Sequence, residues 1–162
     1  MNIQVVRRIR FCAGHRLYRH GGKCENLHGH NYVADISVSS NETDVVGRVV
    51  DFAVLKQLFK GWIDEKWDHG FILYENDEQA INAIRSVDPY KLYLLPKNPT
   101  AENMAAHLLS VIGPNLLNNV DGYDLQVAKV VVWETEDSCA EVTLDSPNLF
   151  GSNLESTQQN RL

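Results

Sequence analysis

Residues 23–36 read KCENLHGHNYVADI. A thiol and two imidazoles fall within seven residues, and the chain then turns apolar at every second position. Tyr32, Ala34, Ile36 and Val38 take one side of that alternation, and Asn31, Asp35 and Ser37 take the other. Successive side chains of a strand point to opposite faces. Residues 30–39 are therefore expected to form a strand with one buried face. Upstream, Ile3, Val5, Ile9, Phe11 and Ala13 share a parity that predicts a strand over 3–13, and His15 continues it. The Gly-containing loop RHGGKCEN (19–26) joins the two.

Further along, SNETDVVGR (40–48) reads as a turn, and Asp51 can cap the helix that follows it. Phe52, Leu55, Leu58, Phe59, Trp62 and Ile63 recur at helical spacing in a stripe that ends near Lys66. A second helix starts at NPTAEN (98–103). Thr100 is its N-cap, and Glu102 places negative charge in the first turn. Its stripe is Met104, Ala105, Leu108, Leu109 and Ile112, and Gly113-Pro114 is expected to stop it. Between the helices, EQAINAIR (78–85) reads as a short helix and YKLYLL (90–95) as an extended piece. LQVAKVVVW (125–133) is a β-branched strand, ETEDS (134–138) a hairpin turn and CAEVTL (139–144) the returning strand. Two strands, two helices and two strands, with no βαβ alternation, imply an α+β class with a four-stranded antiparallel sheet and two long helices between strands 2 and 3. One domain over 1–150 is expected, with a polar, frayed tail over 151–162.

Apolar residues make up 44% and charged residues 22% of the 162, ordinary values for a globular protein. The net charge is −6 and the basic residues are scattered, which argues against nucleic acid as a partner. No apolar run approaches the roughly 18 residues of a membrane helix. MNIQVVRRIRF at the start does not read as a signal peptide. Three cysteines cannot pair without a remainder, so reduced thiols and a cytoplasmic location are expected. Cys12 and Cys139 sit in strand-like runs and are expected to be small buried hydrophobes.

His28 and His30 project together from the start of their strand, with Gly29 between them. Two imidazoles side by side can share a metal, and His15, on the facing strand, is the candidate third ligand. Three histidines with an open fourth position describe a catalytic zinc site. The plainer alternative is a pair of polar strand residues with no metal. Cys24 lies within about 14 Å of His28 along the chain and is either a fourth ligand or a general base. Asp68 beside His69 has the form of a carboxylate orienting a histidine for proton transfer. Glu134 follows the parity of Ala128, Val130 and Val132, as a strand-end surface group or as a buried acceptor. A carboxylate accepts two parallel N–H bonds from a planar fork, such as the 2-amino-pyrimidinone edge of a pterin or guanine. His107 is expected to serve packing or the surface, and His20 lies in a loop.

Taken together, FCAGHRL, CENLHGHNY, VVDFAVLK, WDH, NPTAENMA and VWETEDSCAEV resemble the successive motifs of the 6-pyruvoyl-tetrahydropterin synthase / 6-carboxy-tetrahydropterin synthase family, from about Phe11 to Val142. The resemblance implies the tunnelling fold, trimers stacked as hexamers, and active sites between subunits. It implies zinc on His15, His28 and His30, proton transfer by Cys24, Asp68 and His69, and pterin anchoring by Glu134, with Thr100 and Glu102 lining the same pocket. The three-residue gap between Cys24 and His28 resembles the queuosine-pathway branch. That branch converts 7,8-dihydroneopterin triphosphate to 6-carboxy-5,6,7,8-tetrahydropterin, releasing acetaldehyde and triphosphate. Formation of 6-pyruvoyl-tetrahydropterin with release of triphosphate is the alternative reaction. Gly70 stands where many short members of that branch have a second His, and 71–98 is longer than in them. Arg16, Lys23 and Lys97 are candidates to hold the phosphates. Two rival classes are a cupin, which needs more strands and no long helices, and a non-catalytic zinc- or pterin-binding module.

Overall fold

A computed structural model describes residues 3–118, 120 and 124–144; the polar tail over 151–162 lies outside the described residues. Its frame is a six-stranded sheet in the order β4-β3-β1-β2-β5-β6. The strands are β1 (Ile3–His15), β2 (His28–Ser40), β3 (Gly70–Tyr74), β4 (Leu92–Leu95), β5 (Leu125–Trp133) and β6 (Cys139–Thr143). β1 and β2 pair antiparallel along their whole length, from Ile3 opposite Ser40 to His15 opposite His28. The expected parity holds over most of its length: Ile9, Phe11, Ala13, Tyr32, Ala34, Ile36 and Val38 are all buried, but at the start of β1 Val5 is half-buried and Ile3 is exposed.

The expected four antiparallel strands are thus joined by two more. β3 runs parallel to β1, pairing only over Ala13–His15, and β4 runs parallel to β3. Between β3 and β4 lies helix α2 (Glu78–Arg85), so the chain does contain a βαβ unit. Strands of five and four residues are too short to show periodicity, and parallel pairing needs a remote partner that no local pattern reveals.

Helix α1 covers 52–66 and helix α3 covers 101–117, each with one wide turn, Lys56–Lys60 in α1 and Leu108–Ile112 in α3. The Asp51 carboxylate accepts from Ala53 N at 2.8 Å, and Thr100 Oγ1 from Asn103 N at 3.3 Å, which are the expected caps. Both helices lie on one face of the sheet. Leu55, Phe59, Ile63, Met104, Leu108 and Ile112 share a core with the buried faces of β1, β2 and β5. Each such side chain removed from water is worth about 1.5–3 kcal/mol.

Gly113-Pro114 does not stop α3, which continues to Leu117. The wide turn just before it spares Pro114, which has no N–H, the usual ladder bond. Gly113 is there for closeness: a Cβ would come within 2.3 Å of Val127 Cγ2 on β5. A second shift concerns β5 itself. Ser37 faces Lys129 while Val38 faces Val127, so Ala128 is an extra residue. The bulge moves Ala128 off the inward parity of Val130 and Val132 and brings Val127 into the core.

The opposite face of β1 carries no helix, and Arg8, Arg10 and Cys12 are exposed there. Cys12 is therefore not buried as expected, and neither is Cys139 at the start of β6. Both lie in strands whose outward face is open within one chain. All three cysteines are free thiols.

Candidate active site

The register of β1 and β2 sets His15 directly opposite His28, and β2 alternation puts His30 on the same side. One ligand atom from each of the three rings lies within 4.8 Å of the other two. Two of the rings are oriented by backbone carbonyls. His15 Nδ1 donates to Pro99 O at 2.8 Å, and His28 Nδ1 donates to Asn26 O at 2.7 Å. A carbonyl only accepts, so both rings carry their proton on Nδ1 and keep the Nε2 lone pair free. Those two Nε2 atoms lie 3.1 Å apart, although neither has a proton to share. His30 Nε2 is buried and has no hydrogen-bond partner.

The lone pairs of His15 and His28 face each other at 3.1 Å and repel unless a cation sits between them. Zn–N bonds of about 2.0–2.1 Å in a tetrahedral site place nitrogens about 3.3 Å apart, close to the spacing found. The residues present therefore fit a metal ion. His15 is 1% exposed, and burial pushes its imidazole below its usual pKa, favouring the neutral, ligating form. The Tyr32 hydroxyl lies 3.2 Å from His15 Nδ1, and burial raises its pKa, so it stays protonated. Carbonyls and hydroxyls behind metal-binding imidazoles fix tautomer and aim.

Two hollows share Cys12, Gly29, His30, Asn31 and His69 and together form one cleft beside the triad. The smaller has a volume of about 450 Å³. The larger, about 1010 Å³, extends to Arg10, Asp68, Trp133 and Glu134. Glu134, just past the end of β5 and 30% exposed, has Oε1 3.7 Å from His30 Nε2. Asp68 Oδ2 accepts from His69 Nδ1 at 2.8 Å, and Asp68 Oδ1 accepts from Cys12 N at 2.8 Å. Burial opposes ionisation of Asp68, but the Cys12 N–H and His69 outweigh it and hold its carboxyl below the usual range. His69 takes a left-handed backbone, φ 58°, and its side chain is 78% exposed toward the cleft. An imidazole held by an ionised carboxylate at the edge of a cleft can move a proton.

The remaining expected residues sit elsewhere in this chain. Cys24 is half-buried in a short turn, Lys23–Glu25, whose carbonyl at Cys24 accepts from Leu17 N at 2.8 Å. It belongs neither to the imidazole cluster nor to the lining of the cleft. Thr100 caps α3 beside Pro99, the residue that orients His15, and Glu102 is exposed. His107 is bonded to the Tyr93 hydroxyl at 2.7 Å and stacks on Trp67, which is the packing role expected for it. Of the phosphate candidates, Arg16 is committed to Asp77 through Nε at 2.6 Å. Tyr32, Asn26, Pro99 and Cys12 were not singled out from sequence. Tyr32 had one usable signal, its place on the buried parity just after His30.

The sequence profile of 6-pyruvoyl tetrahydropterin synthase matches residues 4–145. A 6-carboxy-5,6,7,8-tetrahydropterin synthase of Rickettsia bellii is 43% identical over 140 residues, covering 86% of this chain and 99% of that protein. One from Aquifex aeolicus is 31% identical, covering 87% and 98%. Among solved structures, an uncharacterised protein of Wolinella succinogenes superposes with a TM-score of 0.70 at 23% identity, covering 88% of this chain and 98% of that one. The 6-pyruvoyl tetrahydropterin synthase of Plasmodium vivax does so with a TM-score of 0.62 at 20% identity, covering 88% and 97%. With the profile spanning nearly all of the described residues, the chain belongs to the 6-pyruvoyl tetrahydropterin synthase family.

Proposed function

We propose that this chain is a zinc-dependent 6-carboxy-tetrahydropterin synthase, a lyase that converts 7,8-dihydroneopterin triphosphate to 6-carboxy-5,6,7,8-tetrahydropterin, releasing acetaldehyde and triphosphate. The observation that carries it is the meeting of three clustered imidazoles with the Asp68–His69 pair and Glu134 around one cleft. The relatives at 41–43% identity bear the same name, which favours this product over 6-pyruvoyl-tetrahydropterin. Its place would be queuosine biosynthesis.

His15, His28 and His30 would hold the zinc, which supplies Lewis acidity toward the oxygens of the substrate side chain. Glu134 accepts N–H groups of the pterin ring and so orients it. Removal of a proton from carbon is assigned to Cys24 by the family resemblance alone, since Cys24 does not line the cleft of this chain. His69, kept in one tautomer by Asp68, relays a proton in the cleft. Thr100 and Glu102 are assigned to the lining of the same pocket by the family resemblance.

The same reading includes assembly of several copies. Within this chain β2 covers one edge of β1 throughout, while β3 covers only Ala13–His15 of the other, so on that second edge residues 3–12 have no strand beside them among the described residues. β6 is the other outer strand. Open edges invite pairing, and joining these two between copies gives a trimer-based ring, a hexamer when stacked. Free thiols suit a reducing compartment, and we place the enzyme in the cytoplasm, with a small pterin triphosphate as its partner.

The deciding experiment incubates zinc-loaded protein with 7,8-dihydroneopterin triphosphate and identifies the product by mass. The 6-carboxy product is expected. The 6-pyruvoyl product would assign the alternative reaction, and unchanged substrate would leave a binding module.

A further inference from the structure

The turn that presents His69 is fastened from both sides, and one fastening comes from a residue with no assigned role. On the β1 side, Cys12 N donates to Asp68 Oδ1 at 2.8 Å, and His69 N donates to Cys12 O at 2.7 Å. On the other side stands Lys91, just before β4. Its Nζ donates to Asp64 O at 2.9 Å and to Asp68 O at 2.7 Å. Its own carbonyl accepts from Phe71 N at 2.9 Å. These bonds bracket Asp68, His69 and Gly70.

The carbonyls at the end of a helix have no partner within it, and a cation there is favoured by the helix dipole. Lys91 satisfies one of them, Asp64 O, and ties it to the carbonyl of Asp68 two residues past the end of α1, and in doing so it fixes where the chain leaves the helix. That exit is unusual, because His69 is not a glycine and yet sits at φ 58°. A non-glycine residue stays in the left-handed region only where its surroundings hold it there. The Lys91 stem also lies over Gly70. A Cβ at residue 70 would come within 2.8 Å of Lys91 Cγ and 2.9 Å of Cδ. Lys91 and Gly70 are therefore a matched pair, and the histidine found here in many short members of the branch cannot share the site with this lysine in place.

We propose that Lys91 is the positioning residue for His69: its ammonium clamps the turn that carries the imidazole into the cleft. The catalytic part of this statement rests on the reading of Asp68 and His69 as the proton relay. Lys91 itself touches no reacting atom.

The test uses the full-length, zinc-loaded protein with Lys91→Met, which keeps the stem and removes the charge. Misplacing a catalytic group by about 1 Å costs up to about 100-fold. We expect kcat to fall about 10- to 100-fold, with substrate KM and metal content unchanged. Lys91→Arg should recover most of the rate. The backbone amide and ring resonances of His69 should shift in Lys91→Met, read by NMR without substrate. In a His69→Ala background, Lys91→Met should change kcat by no more than about twofold. Gly70→Ala, which pushes the stem aside, should reproduce the loss and serves where Lys91→Met does not fold. A wild-type kcat in Lys91→Met, or an equal loss with His69 already removed, overturns the proposal. Full turnover by His69→Ala ends the relay reading and the catalytic part with it. Unshifted His69 resonances in Lys91→Met overturn the clamp itself, whatever the rate.

Discussion

Arg16, next to His15, is one of three candidates for holding the triphosphate; the structure gives it a different task. Its side chain is 14% exposed and meets Asp77, which is fully buried, through two bonds: Nε to Oδ2 at 2.6 Å, and a second guanidinium nitrogen to Oδ1. Asp77 also caps α2, accepting from Ala80 N at 3.2 Å. Arg16→Met leaves a buried carboxylate with one neutral donor. Breaking a buried pair from one side costs about 3–5 kcal/mol, and the surviving Ala80 bond argues for the lower end, about 3 kcal/mol. In a chain of this size each 1 kcal/mol moves Tm by about 2–4 °C, so a fall of about 6–12 °C is expected. The Arg16 guanidinium, outweighing burial, holds the Asp77 carboxyl below its usual pKa. A depressed folded pKa means that the contribution is present above the unfolded carboxylate value of about 3.9 and is lost as pH falls through the folded value. In Arg16→Met burial acts alone and raises that pKa. The defect should therefore be largest near neutrality and should narrow as the pH falls toward the carboxylate range. Arg16→Met with Asp77→Asn removes both charges and should recover most of the Tm. Differential scanning calorimetry against pH reads all of this. An Arg16→Met protein that melts with the wild type but binds substrate more weakly would refute the reasoning and return Arg16 to the phosphates.

Other outcomes follow from the site. Metal analysis should find about one zinc per chain by the three-ligand logic, and His28→Ala should lose it; stoichiometric zinc with full activity in that variant would dissolve the triad. Cys24→Ala should keep its zinc and its fold while turnover falls about 10²- to 10⁴-fold, the usual worth of general-base catalysis. Zinc loss there would make Cys24 a ligand, and a wild-type rate would remove it from the mechanism. Glu134→Gln replaces an acceptor oxygen by a donor that faces a ring N–H. Losing a charge-assisted bond worth about 1.5–3 kcal/mol should weaken pterin binding about tenfold or more, and calorimetric titration showing unchanged affinity would take Glu134 out of the pocket. Light scattering at micromolar concentration should show a trimer-based oligomer, and monomer alone would contradict edge pairing between copies.

What could be read from sequence was what local periodicity encodes. Strand alternation placed His15, His28 and His30 on one face, because a side-chain period of two leaves no freedom once the buried face is known. The helix stripes and the caps Asp51 and Thr100 were legible for the same reason. Where two local rules competed, reading failed. Gly113-Pro114 carries a stop signal, but tertiary packing of Gly113 against Val127 decides the outcome. Cys12 was misjudged because alternation says which residues share a face, not which face is covered. β3 and β4 were missed as strands of the sheet because their pairing depends on partners outside their own segment.

That missed segment bears directly on the site. From sequence, residues 71–98 read as an insertion that could alter either access to the pocket or the fate of the substrate side chain. Instead it supplies Asp77, which anchors the residue after His15, and Lys91, which holds the carbonyl of Asp68. β3 pairs with β1 over Ala13–His15 alone, the three residues that end on the first imidazole. Every attachment of the segment to the motif strand therefore falls at the site end of the sheet, and none along 3–11, the stretch of edge left open for another copy. A loop that merely tolerated extra length would show no such bias. The bias follows if the segment braces metal and relay from within one subunit, so that oligomer contacts complete a site whose metal-binding half is already rigid.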